Sequence, residues 1–293
     1  MGAVIEIKPV IADYISKSLL LISKDPFPCD KTIHEIRVFM KKARAALRLL
    51  ANQIENEAYR REFSSFREVG TILSNWRETS VHRKILKDLK KRNRLLFSEL
   101  RSNDKLNRLI KKPVENSTLS TEQNDNLARV KEVLRKSGYR IRFQKLNDPD
   151  PDLLYRELDK TFNKTKNLFL KARYGSKTPT IHQFRKRAKD FLYQILFFRH
   201  LNPAVIKKLE NKIEMMTRDL GKYNDLAVLI NALEYGYGRI GNDTAMDELM
   251  VIIRQEQERY LSKIWPAAYR IFGPGQTLTK LAGFEASYNN QTK

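Results

Sequence analysis

The stretch Asp30-Lys31-Thr32-Ile33-His34-Glu35-Ile36-Arg37-Val38-Phe39-Met40-Lys41-Lys42-Ala43-Arg44-Ala45-Ala46-Leu47-Arg48-Leu49-Leu50 carries two interleaved patterns that decide the fold. Its apolar positions Ile33, Ile36, Met40, Ala43, Leu47 and Leu50 alternate steps of three and four, the spacing that keeps one seam of an α-helix against a bundle core. One residue after each of the first five seam positions stands a basic residue: His34, Arg37, Lys41, Arg44 and Arg48 follow the same steps. That second row lies about 100° round the helix from the first and borders the core. Like charges at this spacing repel by a few tenths of a kcal/mol per pair, and Glu35 is the only acid between Lys31 and Leu50. A bound anion is therefore the natural counter-charge for the row.

The pattern returns. Ile181-His182-Gln183-Phe184-Arg185 repeats Ile33-His34-Glu35-Ile36-Arg37 at an offset of 148 residues, and the second seam runs through Ile181, Phe184, Ala188, Phe191, Ile195 and Phe198. Its basic row is shorter, comprising His182, Arg185 and Lys189 with Lys186 and Arg187 beside it, before Leu192 and Leu196. Outside these copies the helical period persists, strand alternation is nearly absent, and turn chemistry concentrates in a few places. Those places are Asp25-Pro26-Phe27-Pro28, Lys112 to Thr121, Asp148-Pro149-Asp150-Pro151, Gly236-Tyr237-Gly238 and Gly273-Pro274-Gly275. The expectation is an all-α protein of two duplicated antiparallel bundles, residues 1–148 and 149–293, with helices of ten to thirty residues such as 76–101, 204–221 and 223–236.

Composition narrows the partner. With 56 Lys and Arg against 34 Asp and Glu, the formal charge is +22, which attracts polyanions: DNA, RNA, polyphosphate, acidic proteins or an anionic membrane. Cys29 is the only cysteine, so there is no intrachain disulfide and no Cys-based metal site, and a reducing cytoplasmic setting is expected. Leu19 to Ile22 is too short an apolar run for an export signal, and Phe191 to Phe198 is too short to cross a membrane.

The segment His34-x-x-Arg37-Val38-x-x-Lys41-Lys42-x-Arg44-x-x-Leu47-Arg48 resembles the signature of the CHAD family, helical domains named for their recurrent histidines. His182-x-x-Arg185-Lys186-x-x-Lys189 resembles its second copy. A further family element, Leu-Gly followed after two residues by Arg-Asp, is similar to Leu220-Gly221-Lys222-Tyr223-Asn224-Asp225 and, in degraded form, to Leu73-Ser74-Asn75-Trp76-Arg77-Glu78. The departures are Ser74 for Gly, Glu78 for Asp and Asn224 for Arg. The resemblance implies two pseudo-symmetric bundles around a basic groove that binds inorganic polyphosphate without catalysis, with residence on cytoplasmic polyphosphate granules as a corollary. It also implies the binding set: His34, Arg37, Lys41, Lys42, Arg44, Arg48, His182, Arg185, Lys186 and Lys189, joined by Arg77 and Lys222 next to the Leu-Gly elements.

Such a ligand suits those side chains. Polyphosphate has charge at every unit and no base edges, so arginine forks, adaptable lysine ammoniums and imidazole N–H donors can hold it by charge-assisted hydrogen bonds. Protonated histidines would hold it harder, so affinity is expected to rise as pH falls through about 6 to 7. The basic run Arg129, Lys131, Arg135, Lys136, Arg140, Arg142 and Lys145, the trio Lys160, Lys164 and Lys171, and Arg83, Lys84 and Lys87 read foremost as solvated surface. Tyr223 and the Phe191 to Phe198 cluster read as core. His82 follows Glu78 by four residues, but no paired Glu-x-x-His, His-Glu-x-x-His or Gly-rich phosphate loop is present, so no enzyme, metal or cofactor is expected. A nucleic-acid-binding protein without base readout is the alternative, and an accessory subunit of a phosphate-metabolising enzyme a third possibility.

Overall fold

Every position of both seams is core: Ile33, Ile36, Met40, Ala43, Leu47 and Leu50, and Ile181, Phe184, Ala188, Phe191, Ile195 and Phe198, are at most 1% exposed. The computed structural model describes residues 6–25, 28–74, 78–110, 121–143, 149–175, 177–234 and 244–284. These form α1 (Ile7–Lys24), α2 (Asp30–Leu49), α3 (Asn56–Ile72), α4 (Glu78–Arg92), α5 (Arg94–Glu99), α6 (Asp104–Ile110), α7 (Thr121–Phe143), α8 (Pro151–Gly175), α9 (Thr178–Ile195), α10 (Pro203–Glu234), α11 (Thr244–Phe272) and α12 (Leu278–Ala282). Short 3-10 turns occupy Leu100–Ser102 and Leu196–Phe198, and there is no strand among the described residues. The protein is all-helical. The expected turns at Pro26-Phe27, residues 112–120 and 236–238 lie outside the described residues, as does Asp148 of the central Asp-Pro run.

Helices α1, α2, α3 and α7 pack on one another, and α8, α9, α10 and α11 do the same. The two groups meet where α2 packs against α9. There the buried Gln194 amide of α9 donates to the Ala45 carbonyl of α2 at 2.9 Å. A single apolar core runs through both groups, and its aromatic centre is Phe191, 5.5 Å from Phe162 and 5.9 Å from Phe272 between ring centroids. Tyr223 is also buried, as the sequence implied. A smaller core joins Leu86 and Leu89 of α4 and Phe97 of α5 to Leu229 and Leu233 of α10 and Leu249 and Ile253 of α11. Thus α4 and α5, which precede the central Asp-Pro run, pack on the far ends of helices that follow it.

Local chemistry explains the boundaries. The Asp25 carboxylate accepts from the Cys29 backbone N–H at 3.1 Å and from the Thr32 hydroxyl at 3.3 Å, fixing the entry into α2. Pro179 sits in the first turn of α9, where its missing N–H is no loss. Two expectations fail. The expected helix 76–101 is interrupted at Asn93, whose non-helical backbone separates α4 from α5. In contrast, the expected break at 222 is absent: Pro203–Glu234 is one helix, in which Gly221 stays helical with the Arg185 guanidinium laid against it. Helix α11 runs through Pro266, as the period over 244–271 implies, at the expense of one backbone hydrogen bond.

Candidate functional site

The rows bordering the two seams come together at the α2–α9 contact. Lys42 of α2 holds its ammonium 5.8 Å from the centroid of the Tyr193 ring of α9 and 5.8 Å from that of Tyr14 of α1. Lys189 of α9 approaches the same Tyr193 ring at 5.8 Å, so one aromatic ring is shared by a lysine from each row. Burial, then the neighbouring Arg185 and Lys42 charges, push the Lys189 ammonium below its ordinary pKa, against a smaller opposing pull from Glu214. The Tyr193 phenol is pushed up to about 12, chiefly by burial, and stays a neutral ring between the cations.

His182 belongs to the same assembly. Burial and the Lys186, Arg185 and Lys41 charges depress its pKa, with an opposing contribution from its hydrogen bond to Asn224. Its Nδ1 faces the Asn224 side-chain oxygen; with Nδ1 as donor, Nε2 is the ring nitrogen left for another partner. Asn224, which stands where the family element has Arg, therefore serves His182 rather than extending the cationic surface. His34, the counterpart in α2, is exposed.

The arginines behave differently from one another. Arg37 donates to the Gly70 carbonyl of α3, while the Arg185 Nε and Nη2 lie 3.7 Å from the place a β-carbon on Gly221 of α10 would take. In both rows the arginine of His-x-x-Arg thus reaches a glycine of the next helix, Arg37 through a hydrogen bond to the carbonyl and Arg185 by packing over the missing side chain. Arg44 has its guanidinium 5.9 Å from the Phe63 ring, and its Nε is buried with no hydrogen-bond acceptor among the described residues. Burial and the Arg48, Arg67 and Arg37 charges lower its pKa, with Asp190 opposing. Arg48 lies 4.8 Å from the Phe63 ring and pairs with Asp190, Nη1 to Oδ2, at 3.0 Å. Its N–H is not aligned for a hydrogen bond, so this is an ion pair by proximity. Arg187 donates to the same Oδ2 at 3.3 Å. The expectation that the α2 row lacks acidic compensation holds along α2 and fails across the helix contact, where Asp190 supplies it.

This geometry sits within a recognisable domain. The family model of the CHAD domain matches residues 25–234, well over half of the 293 residues. The chain belongs to the CHAD family. Among curated proteins, none matches it. The CHAD match runs from the turn before α2 to the end of α10, so it contains both rows, the Phe63 and Tyr193 rings and the Leu220-Gly221 element.

Other residues singled out from the sequence separate from the CHAD rows. Arg77 and Trp76 lie outside the described residues. Lys222 is exposed and extends over the Tyr260 ring of α11, 5.4 Å from its centroid, while Lys186 is exposed on α9. Three of the α7 run are paired: Arg129 with Glu68 at 2.7 Å, Lys136 with Glu132 at 2.7 Å on the surface, and Arg140, which grips the buried Glu62 through Nε and, at 3.1 Å, Nη2. Lys160 pairs with Glu157 at 2.6 Å. Lys145 lies outside the described residues. Among the described residues no three His, Cys, Asp or Glu come together as a metal site, and no helix is long and apolar enough to cross a membrane. Tyr14, Phe63 and Asp190 were not singled out from the sequence, and Tyr193 was read only as part of the Phe191 to Phe198 core cluster. The signal for Asp190 was a lone acid next to Lys189, and that for Tyr193 its place four residues after Lys189, whereas nothing local marks Tyr14 and Phe63.

Proposed function

We propose that this protein binds inorganic polyphosphate, without catalysing its turnover, in a basic groove between two pseudo-symmetric halves whose floor is the α2–α9 contact. The observation that carries the reading is the shared Tyr193 ring, which draws Lys42 and Lys189 together from the two rows. Like charges held this close on a partly buried surface are a standing cost, which an anion threaded between them converts into binding energy. Arg37, Arg44 and Arg185 act as forks, Lys41, Lys42, Lys186 and Lys189 as point charges, and His34 and His182 as N–H donors. CHAD membership supports the same ligand. Cytoplasmic residence, with attachment to polyphosphate granules, follows from that binding.

A second reading is a single-stranded nucleic acid. One feature favours it: on α7 the rings of Tyr139 and Phe143 are 68% and 63% exposed and lie 4.6 Å apart, beside the exposed Arg135 and Arg142. Reversing Arg37 and Arg185 to Glu in one protein separates the two. Polyphosphate binding is abolished while the melting transition stays cooperative; affinity kept by the folded double variant contradicts the site. Long-chain polyphosphate is expected to displace bound RNA, and duplex DNA to compete poorly.

A further inference from the structure

We propose that Asp190 is a resident anion that competes with the ligand for Arg48 and Arg187, closing the C-terminal end of the α2 row to polyphosphate in the free protein. This rests on the polyphosphate reading and specifies which cations of the site are available to the ligand. Asp190 is the residue after Lys189 on α9, and it points to the place where the α2 row ends.

Two guanidiniums converge on one of its oxygens, Arg48 at 3.0 Å and Arg187 at 3.3 Å, and Arg44 acts on it electrostatically. Burial raises the Asp190 carboxyl above its ordinary pKa while Arg48, Arg187 and Arg44 pull it back down, and two guanidiniums on one oxygen favour the carboxylate. The remaining neighbours are Tyr59 of α3, whose hydroxyl feels Asp190, Arg48 and Arg187 together with Glu157 of α8, and the Tyr193 ring. The pair is well shielded, with side chains 21% and 16% exposed for Arg48 and Asp190, so it is weakly screened by salt and persists under physiological conditions.

An incoming phosphate must therefore displace the carboxylate to engage Arg48, and the two anions repel as it tries. The row has a stop built into it. The ligand is left to the Lys42 and Lys189 pair at the shared Tyr193 ring, across the helix contact rather than along the full length of α2. A purely structural ion pair and a competing anion make opposite forecasts for the loss of the acid. Removing a structural pair loosens the site and weakens binding, whereas removing a competitor strengthens it.

The experiment is a calorimetric titration of long-chain polyphosphate into the wild-type protein, Asp190→Asn, and Asp190→Asn combined with Arg48→Met, each at several salt concentrations. Asp190→Asn is expected to bind roughly tenfold tighter, with a salt slope steeper by about 0.7–0.9 for each phosphate newly engaged. Adding Arg48→Met removes most of that gain. Unchanged or weaker binding by the cooperatively melting Asp190→Asn protein overturns the proposal. So does a gain that survives Arg48→Met in full, since it reports only the change in overall charge. If Asp190→Asn does not fold, Asp190→Ala is read by the same two criteria. Wild-type protein that fails to bind polyphosphate at all refutes the underlying function, and the proposal with it.

Discussion

Replacing Arg185 with Gln tests the α9 row at its most defined point. The Arg185 guanidinium is laid against Gly221 and adds to the cationic field that depresses both Lys189 and His182. A charge-assisted hydrogen bond contributes about 1.5–3 kcal/mol, so its loss weakens binding by roughly 10- to 150-fold. Part of that loss is returned, because Lys189 and His182 hold their protons more readily once Arg185 is gone. The expected result is thus near the lower end, about tenfold, with the salt slope reduced by about 0.7–0.9. Titration calorimetry with polyphosphate at three ionic strengths reads both quantities. A tenfold loss with the slope unchanged would mean that Arg185 shapes α10 rather than touching phosphate, and no loss would remove it from the site.

Gly221→Ala is expected to fold and bind nearly as the parent, because a β-carbon there meets Arg185 at 3.7 Å, an ordinary contact; a large loss of affinity would show that Arg185 needs the closer approach. For His182 the sign is set by its depressed pKa: the folded protein resists protonation, so without ligand stability falls as pH drops below the unfolded value of 6.5. A bound polyanion reverses that preference, so affinity continues to rise below pH 6.5, until the free His182 is itself protonated, and His182→Gln flattens the profile measured between about pH 5 and 8. Phe191→Ala empties the aromatic centre and costs about 3–5 kcal/mol, read as a lowered chemical-denaturation midpoint. Glu62→Gln takes the charge from a 3% exposed carboxylate held by Arg140 and Arg61, for a loss of about 3 kcal/mol in the same assay; an unchanged midpoint would mean that the α3–α7 contact does not depend on it.

The seams were legible because burial follows the helical period, and each of their positions is closed to solvent. The basic rows were legible for the same reason, one residue further round. Which members of a row are free to meet a ligand was not legible, since that depends on contacts between distant helices. Arg48 finds its acid and Lys42 its ring across the α2–α9 contact, whereas Arg187 with Asp190 and Lys189 with Tyr193 meet along α9 itself. Gly221 looked like a punctuation mark in the sequence and proved to be a surface on which Arg185 rests. The crossing of α4 and α5 onto α10 and α11 could not be read either, because amphipathic helices do not specify which partner covers their apolar side. The expected rise of affinity through about pH 6 to 7 treated histidine at its ordinary pKa, and burial of His182, with the cations around it, extends that window downward.

The central claim is tested most directly by titrating long-chain polyphosphate into the protein at about 0.15 M salt, beside matched titrations of single-stranded RNA and duplex DNA. Saturable, tight polyphosphate binding with weak nucleic-acid signals is the predicted result; RNA or DNA binding as tight as polyphosphate binding would contradict it.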